Sequence, residues 1–375
     1  LGYWTEEQGR AAGRAIQVGS DAKTALAELG RREATGPKLA FAGQFPERTA
    51  LTDRETADEG HALAPAFFYR AAEFFTHPTD PDKLPLYDRF QEVFYDAASR
   101  EDIERHLVPY QDGGLPALRF GNEDSAGTIV IHGGLDSFME EFYSIACYMT
   151  AGGSTGADNG CDVILFDGPG QGTALREHNL YMTHEWEHPV RAVLDHFNLD
   201  DVTLVGISLG GYLALRASAF DQRIARVVCY GVGAYDQHGS GLRRKIYELF
   251  LKYPGFYNRV ARSAMRMSPA ADHLVSQWMY ITGSATPAEW NAMIEHYSVC
   301  DVADLVRQDV LLMTGEGDHL VPLAEYHRNM QGLTSTRSLT GRVFTTDESA
   351  ENHCQVGNVG LALDVILDWV NGLKG

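Results

Sequence analysis

From residue 103 onward, short apolar runs rich in β-branched residues alternate with longer stretches whose apolar positions return every three or four residues. Thr128–Ile131, Val163–Phe166, Val202–Val205, Arg226–Val232, Val310–Met313 and Arg342–Thr345 read as strands. Phe138–Met149, Val190–Phe197, Leu323–Met330 and Leu361–Val370 read as helices between them. Strands that are apolar on both faces and separated by helices predict a mostly parallel sheet covered by helices on both sides, an α/β fold. Ile103–Pro109 and Leu115–Phe120 flank Gln111-Asp112-Gly113-Gly114 and predict a hairpin at the start of that sheet.

Two stretches depart from the alternation. Residues 1 to about 100 carry only helical patterning, in Ala11–Val18 behind Thr5-x-x-Gln8, Ala22–Arg32, Ala57–Phe75 and Leu86–Ala98. The last two helices are separated by a breaker-rich turn from His77-Pro78 through Pro85. Their aromatic faces, with Phe67, Phe68, Phe74 and Phe75 on one and Phe90, Phe94 and Tyr95 on the other, are expected to pack, with the lining of a substrate pocket as a second use. Later, Leu242–Tyr253, Tyr257–Met267, Ala271–Thr282 and a helix opened by Thr286-Pro287-Ala288-Glu289 interrupt the strands. A helical block inserted there is expected to cap the strand ends, where open α/β sheets bind ligands. The expected organisation is a helical N-terminal region over 1–102, a first core segment over 103–235, an inserted cap over 236–305 and a second core segment over 306–375.

Chemistry is signalled where Val202–Val205 meets the helix beginning near Leu213. Between them lies Gly206-Ile207-Ser208-Leu209-Gly210, a G-x-S-x-G sequence in the strand-before, helix-after context that such a nucleophile turn needs. A serine hydroxyl needs a base to take its proton, and the base needs an orienting acid. The chain order for this fold is Ser, acid, His. After Val310–Met313 comes Thr314-Gly315-Glu316-Gly317-Asp318, with Asp318 favoured over Glu316 because the Gly-x-Gly-Asp turn frees it from the strand. After Arg342–Thr345 comes His353, the expected base; His319 directly follows the acid and is misplaced for that role. An oxyanion needs backbone N–H donors, expected from Leu209 and from Gly134 in the His132-Gly133-Gly134 turn.

Several motifs point elsewhere and are set aside. His184-Glu185-Trp186-Glu187-His188 matches the H-E-x-x-H string of zinc peptidases, but Pro189 is expected to break a helix across it. Gly168–Gly172 and Gly231-Val232-Gly233 lack the spacing of a dinucleotide site. Asp136, Glu140 and Glu141 are expected to form a solvated helix N-terminus. No metal and no cofactor is called for. The net charge of −20 and pI near 5.0 disfavour nucleic acid and anionic membranes as partners, leaving a small-molecule substrate. The cysteines, Cys147, Cys161, Cys229, Cys300 and Cys354, are five in number and scattered, which fits reduced thiols and a cytoplasmic setting. No run reaches membrane-helix length and no signal-like apolar stretch stands near the start; the first residue, Leu1, places a starting Met outside this numbering.

The pieces I-H-G-G-L-D-S-F-M-E-E-F-Y, L-F-D-G-P-G-Q-G, G-I-S-L-G-G, G-E-G-D-H-L-V-P and N-H-C-Q-V-G-N resemble an α/β-hydrolase subgroup. That subgroup includes bacterial 2,6-dihydroxypseudooxynicotine hydrolase and fungal polyketide-shortening pigment hydrolases. The resemblance runs from about Ile103 to the C-terminus, and the helical N-terminal region is similar as well. It implies hydrolysis of a carbon–carbon bond beside a ketone, by a homodimer with a helical lid, with Ser208, Asp318 and His353 at the triad positions. Some of these relatives use a further acidic side chain; here the segment after Tyr230 reads G-V-G-A-Y-D-Q-H and offers Asp236. Gly133 is a further candidate for substrate contact. The alternatives are a carboxylesterase or lactonase, then a prolyl-oligopeptidase-like peptidase, or an acyltransferase or cyclase using the same triad.

Overall fold

The computed structural model describes residues 54–98, 103–122, 125–154, 160–237 and 241–373. The helices expected at Ala11–Val18 and Ala22–Arg32 lie outside these residues. The described residues fall into two units, one drawing on the chain up to 101 with 255–280 and 284–287, the other on 102–254, 281–283 and 288–375.

The second unit is built on an eight-stranded sheet. Its strands are β1 (Ile103–Tyr110), β2 (Gly113–Phe120), β3 (Thr128–His132), β4 (Asp162–Phe166), β5 (Val202–Ile207), β6 (Ile224–Tyr230), β7 (Asp309–Gly315) and β8 (Ser338–Phe344). Their spatial order is β1-β2-β4-β3-β5-β6-β7-β8. β1 and β2 form the predicted hairpin, and β2 also runs antiparallel to β4; every later pairing is parallel. β4, β5 and β7 are buried along their whole length, as strands covered on both faces must be. The parallel register sets His132 beside Gly206, Ile207 beside Tyr230 and Tyr230 beside Met313. The segments that follow β3, β5 and β7 therefore leave the sheet at one end.

Helices of this unit are α3 (Tyr143–Thr150), α4 (Gly172–Arg176), α5 (Glu187–His196), α6 (Gly210–Phe220), α7 (Gly241–Lys252), α10 (Pro287–Ile294), α11 (Leu323–Gly332) and α12 (Val359–Gly372). α6 buries Tyr212, Leu213, Ala214, Leu215 and Ala217, so the strand β5 that precedes it and the helix are held by one core. The helix expected over Phe138–Met149 opens as a 3₁₀ turn, Met139–Phe142, before α3 begins. Glu141 causes this start: its carboxylate accepts the Phe138 N–H at 2.9 Å.

The first unit contains α1 (Arg54–Phe75), α2 (Lys83–Ala97), α8 (Pro254–Met267) and α9 (Pro269–Thr282), with Pro254 of α8 and the last two residues of α9 counting with the other unit and Pro287 of α10 counting with this one. α2 starts earlier than the sequence suggests, with Pro85 in its first turn, where a missing N–H costs no helical bond. The aromatic faces of α1 and α2 meet as packing residues: Phe67 lies 6.2 Å from Phe90 and 6.1 Å from Phe94, ring centre to ring centre. Phe90 and Phe94 are fully buried. Beside them Glu73 holds two buried cations, Lys83 at 3.1 Å and Arg70 at 2.8 Å. Removing the carboxylate takes away a charge that both buried cations contact. Glu73→Ala is therefore expected to lower stability by about 3 kcal/mol, read from urea unfolding monitored by circular dichroism. An Ala variant within 0.5 kcal/mol of the parent, roughly the scatter of surface substitutions, would contradict this.

Candidate active site

The turn from β5 into α6 holds Ser208 with φ +60°, a left-handed backbone that non-glycine residues rarely adopt. Its N–H is tied to the Tyr230 carbonyl at 2.9 Å. Gly206 permits so sharp a turn: a Cβ there would lie 1.9 Å from the Gly210 carbonyl oxygen. The serine side chain thereby stands at the end of β5, partly exposed.

The loop after β7 and the loop after β8 converge on it. Ser208 Oγ lies 2.8 Å from His353 Nε2, and His353 Nδ1 lies 2.7 Å from Asp318 Oδ2. With Asp318 ionised, Nδ1 carries the ring proton and donates it to the carboxylate, leaving Nε2 to accept from the serine hydroxyl. The other carboxylate oxygen, Oδ1, accepts the N–H groups of Leu320 and Val321, each at 2.9 Å. Burial penalises the Asp318 charge, but the bonds from His353 and from these N–H groups outweigh it and hold the carboxyl below its ordinary range. Burial likewise disfavours charge on His353, and the bond to Asp318, with a smaller contribution from Cys354, reverses this and raises the ring above its ordinary value. The turn that presents His353 is strained: Cys354 and Gln355 both have φ +50°.

Glu316, the other acid in that loop, is engaged elsewhere, its Oε1 accepting the N–H and hydroxyl of Thr346 at 2.7 and 2.9 Å. His319 is a neighbour, its ring centre 6.5 Å from that of His353. Asp236 adds its charge to the surroundings of Cys300 and Arg244, and the Ser208–His353–Asp318 chain closes without it.

The turn after β3 abuts the turn that holds Ser208. A Cβ on Gly134 would lie 2.6 Å from the Leu209 nitrogen, so only glycine fits there. Among the described residues no acceptor takes the N–H of Gly134 or of Leu209. Beneath the turn His132 is fully buried against Trp186 and Phe166, ring centres 5.3 and 5.4 Å away, and its Nδ1–H donates to the Gly133 carbonyl at 2.9 Å. Burial pushes this imidazole down to about 4, the carbonyl bond working against the shift. Since the unfolded chain takes up a proton here near 6.5 and the folded one only near 4, this group's contribution to stability is lost as pH falls across that interval and changes no further below it. The total is about 3 kcal/mol. Urea unfolding at pH 7 and pH 4.5 checks this: His132→Gln, which does not titrate, should decline less than the parent, and an equal decline would refute the assignment.

One sequence expectation fails here. Asp136 and Glu140 are not a solvated helix end; they are 4% and 0% exposed. The segment folds inward, where Asp136 pairs with buried Arg176 at 3.4 Å and Glu140 lies beside buried Asp167. Burial and the Glu140 charge raise the Asp167 carboxyl well above its usual range. Gln171, fully buried under the same turn, is a further residue that the sequence does not single out, although its segment is one of those that resemble α/β-hydrolases. The H-E-x-x-H string straddles a helix start: α5 begins at Glu187, leaving His184 outside it, with Pro189 accommodated in the first turn. Glu187, which lies close to Glu185 and His188, is held at both carboxylate oxygens by Arg216, at 2.8 and 3.0 Å.

Comparison with known proteins identifies the fold and the class of enzyme. A model of the alpha/beta hydrolase fold family matches residues 128–267. Hydrolase LUC6 of a Fusarium species is 31% identical over 325 residues, covering 77% of this chain and 74% of that protein. Hydrolase phmG of Phaeosphaeria nodorum is 31% identical over 329 residues, covering 82% and 71% respectively. Among solved structures, 2,6-dihydroxy-pseudo-oxynicotine hydrolase has the same fold, with a TM-score of 0.64 at 21% identity, covering 93% of this chain and 86% of that one. The chain belongs to the α/β-hydrolase family and is a hydrolytic enzyme. No described helix is long and apolar enough to cross a membrane.

Proposed function

We propose that this hydrolase uses Ser208 as nucleophile, His353 as general base and acid, and Asp318 as the orienting carboxylate, and that it cleaves a carbon–carbon bond beside a ketone. The observation that supports the chemistry is the unbroken chain of 2.8 and 2.7 Å contacts from serine to imidazole to carboxylate. The choice of bond follows the five sequence segments that resemble C–C hydrolases. Ser208 Oγ attacks a substrate carbonyl while His353 Nε2 takes its proton. The resulting oxyanion is met by the N–H groups of Gly134 and Leu209. Collapse breaks the C–C bond, the departing enolate carbon takes the proton from His353, and a ketone leaves. Water, deprotonated by His353, then attacks the acyl-serine; the acid is released and Ser208 regains its proton. One water is consumed and a β-diketone gives one carboxylic acid and one ketone.

A second reading is a carboxylesterase or lactonase, because an ester's alkoxide needs no acid beyond His353, whose contacts run to Ser208 and Asp318. In this proposal the substrate is an apolar or aromatic small molecule, no cofactor takes part, and the regions 1–102 and 236–305 supply lid and dimer elements. Sedimentation of the purified protein tests the homodimer. The deciding experiment pairs aryl esters with β-diketones of matched size, resolves products by mass spectrometry and uses Ser208→Ala as the blank. Ser208-dependent acid release from the diketones supports C–C cleavage. Release from esters alone transfers the reading to carboxylesterase, and turnover undiminished in Ser208→Ala overturns the nucleophile assignment.

A further inference from the structure

Gln171 lies in the Asp167-Gly168-Pro169-Gly170-Gln171-Gly172 turn after β4, and no solvent reaches it. Its Oε1 accepts the Gly168 N–H at 2.8 Å, and its Nε2 donates to the Gly133 carbonyl at 2.9 Å and the Gly134 carbonyl at 2.8 Å. Reversing the amide would set its oxygen against two carbonyls and its NH₂ against an N–H, so the network fixes its orientation. In a trans peptide the C=O and N–H point opposite ways, and no described peptide bond is cis. Drawing the carbonyls of Gly133 and Gly134 toward Gln171 therefore turns the N–H groups of Gly134 and Leu135 away from it. Gly134 itself is packed against the Leu209 nitrogen, which brings the Gly134 and Leu209 donors side by side. His132 adds a donor to the Gly133 carbonyl and Ser137 one to the Gly134 carbonyl; Gln171 alone of the three spans both. Two adjacent glycines have the freest backbone in the chain, so a clamp across both peptide planes is what makes their donors a fixed site.

We propose that Gln171 is a positioning residue for the oxyanion site, holding the Gly133–Gly134 turn so that its N–H groups face the charge developing at the Ser208-bound carbonyl. This rests on the serine-hydrolase reading above. Gln171 touches no reacting atom; it acts through the peptide planes it clamps, and its loss should raise the barrier without weakening ground-state binding.

The test uses Gln171→Met, which fills a similar volume without donors, and Gln171→Glu, which keeps the shape and replaces the donor by an acceptor. Fluorophosphonate labelling of the whole protein, with Ser208→Ala as blank, first reads the nucleophile. Release of 4-nitrophenolate from 4-nitrophenyl butyrate then gives the acylation rate constant and KM, and inhibition by an aryl trifluoromethyl ketone reads affinity for a tetrahedral oxyanion. Both variants are expected to acylate roughly 30- to 100-fold more slowly and to lose ketone affinity by a like factor, with KM within about threefold of the parent. The Glu variant should recover, relative to the parent at each pH, as acid returns a proton that its carboxyl can donate. A merely structural role would lower the melting temperature and leave the ratio of ketone affinity to KM unchanged. Parent-like acylation and ketone affinity, or a loss confined to KM, overturns the proposal. If Gln171→Met does not fold, Gln171→Glu decides: a pH-independent ratio to the parent is then the overturning result. Absence of Ser208-dependent labelling in the parent sinks the serine-nucleophile reading, and this inference with it; intact labelling with indifferent Gln171 variants sinks this inference alone.

Discussion

Replacing Asp318 by asparagine should lower kcat by about ten-thousandfold while leaving the fold intact. The geometry explains so large a change from one atom. Asp318 Oδ1 accepts two backbone N–H groups, from Leu320 and Val321, so an asparagine must keep its oxygen on that side. Its NH₂ then faces His353 Nδ1, where the parent has a carboxylate oxygen 2.7 Å away. A donor at that position forces the ring proton onto Nε2, the atom that must accept from Ser208. The pH profile separates this from a general loss of structure. In the parent, burial opposes charge on His353 and Asp318 more than offsets it, so the ring protonates above its ordinary 6.5. Only the neutral ring can take the serine proton, so kcat/KM should fall as pH drops through that raised value. In Asp318→Asn only the smaller Cys354 contribution still opposes burial, and the acidic limb of the residual activity should move to lower pH. A variant that keeps more than a tenth of the rate, or whose limb does not move, would show that Asp318 is not the orienting acid.

The residues of this hydrogen-bonded chain were legible in the sequence because each closes a strand, and strands buried on both faces announce themselves locally. Val202–Val205 and Val310–Met313 are such runs, with Ser208 and Asp318 after them, whereas His353 follows Arg342–Thr345 at the end of the partly exposed edge strand β8. The choice of Asp318 over Glu316 came from turn chemistry alone, and the structure supplies its counterpart in the bonds from Thr346 that occupy Glu316. What was illegible depends on burial by distant segments. Asp136 and Glu140 look like acids at any exposed helix start; their enclosure with Arg176 and Asp167 requires the turn after β4 to pack beneath the turn after β3. Gln171 was hidden for the same reason, since nothing in a G-P-G-Q-G string says that its amide will meet carbonyls 37 and 38 positions earlier. Pro85 and Pro189 both mark helix starts, and α5, beginning at Glu187, leaves His184 outside the helix as Pro189 leads one to expect. Each proline stands in a first turn, where the lost N–H had no intrahelical partner. The pairing of β4 between β2 and β3 is likewise a tertiary choice that alternation of strands and helices does not determine.

Gly134→Ala should cost a hundred- to a thousandfold in kcat, about 3–4 kcal/mol in the barrier, with little change in KM. The added methyl carbon would lie 2.6 Å from the Leu209 nitrogen and 2.9 Å from both the Gly210 nitrogen and the Ile207 oxygen. All three are backbone atoms of the nucleophile turn, which cannot swing aside as a side-chain tip can. The turn after β3 must therefore withdraw, and it carries the Gly134 N–H away from the Leu209 N–H. A carbonyl bound at Ser208 would then develop its charge against one donor instead of two. Ground-state binding depends on surfaces that this movement leaves in place, so the loss should fall on kcat. Overpacking also carries a folding cost, about 1–3 kcal/mol, which urea unfolding measures separately from the rate. The informative comparison is with Gly133→Ala, whose methyl carbon would meet Ser137 Oγ at 1.9 Å and Ser137 Cβ at 2.5 Å, atoms of its own connection and not of the turn that holds Ser208. Gly133→Ala should therefore retain the larger share of activity. If Gly134→Ala turns over within threefold of the parent, the second donor does not come from this turn, and the oxyanion must be held by Leu209 and a group outside the β3–α3 connection.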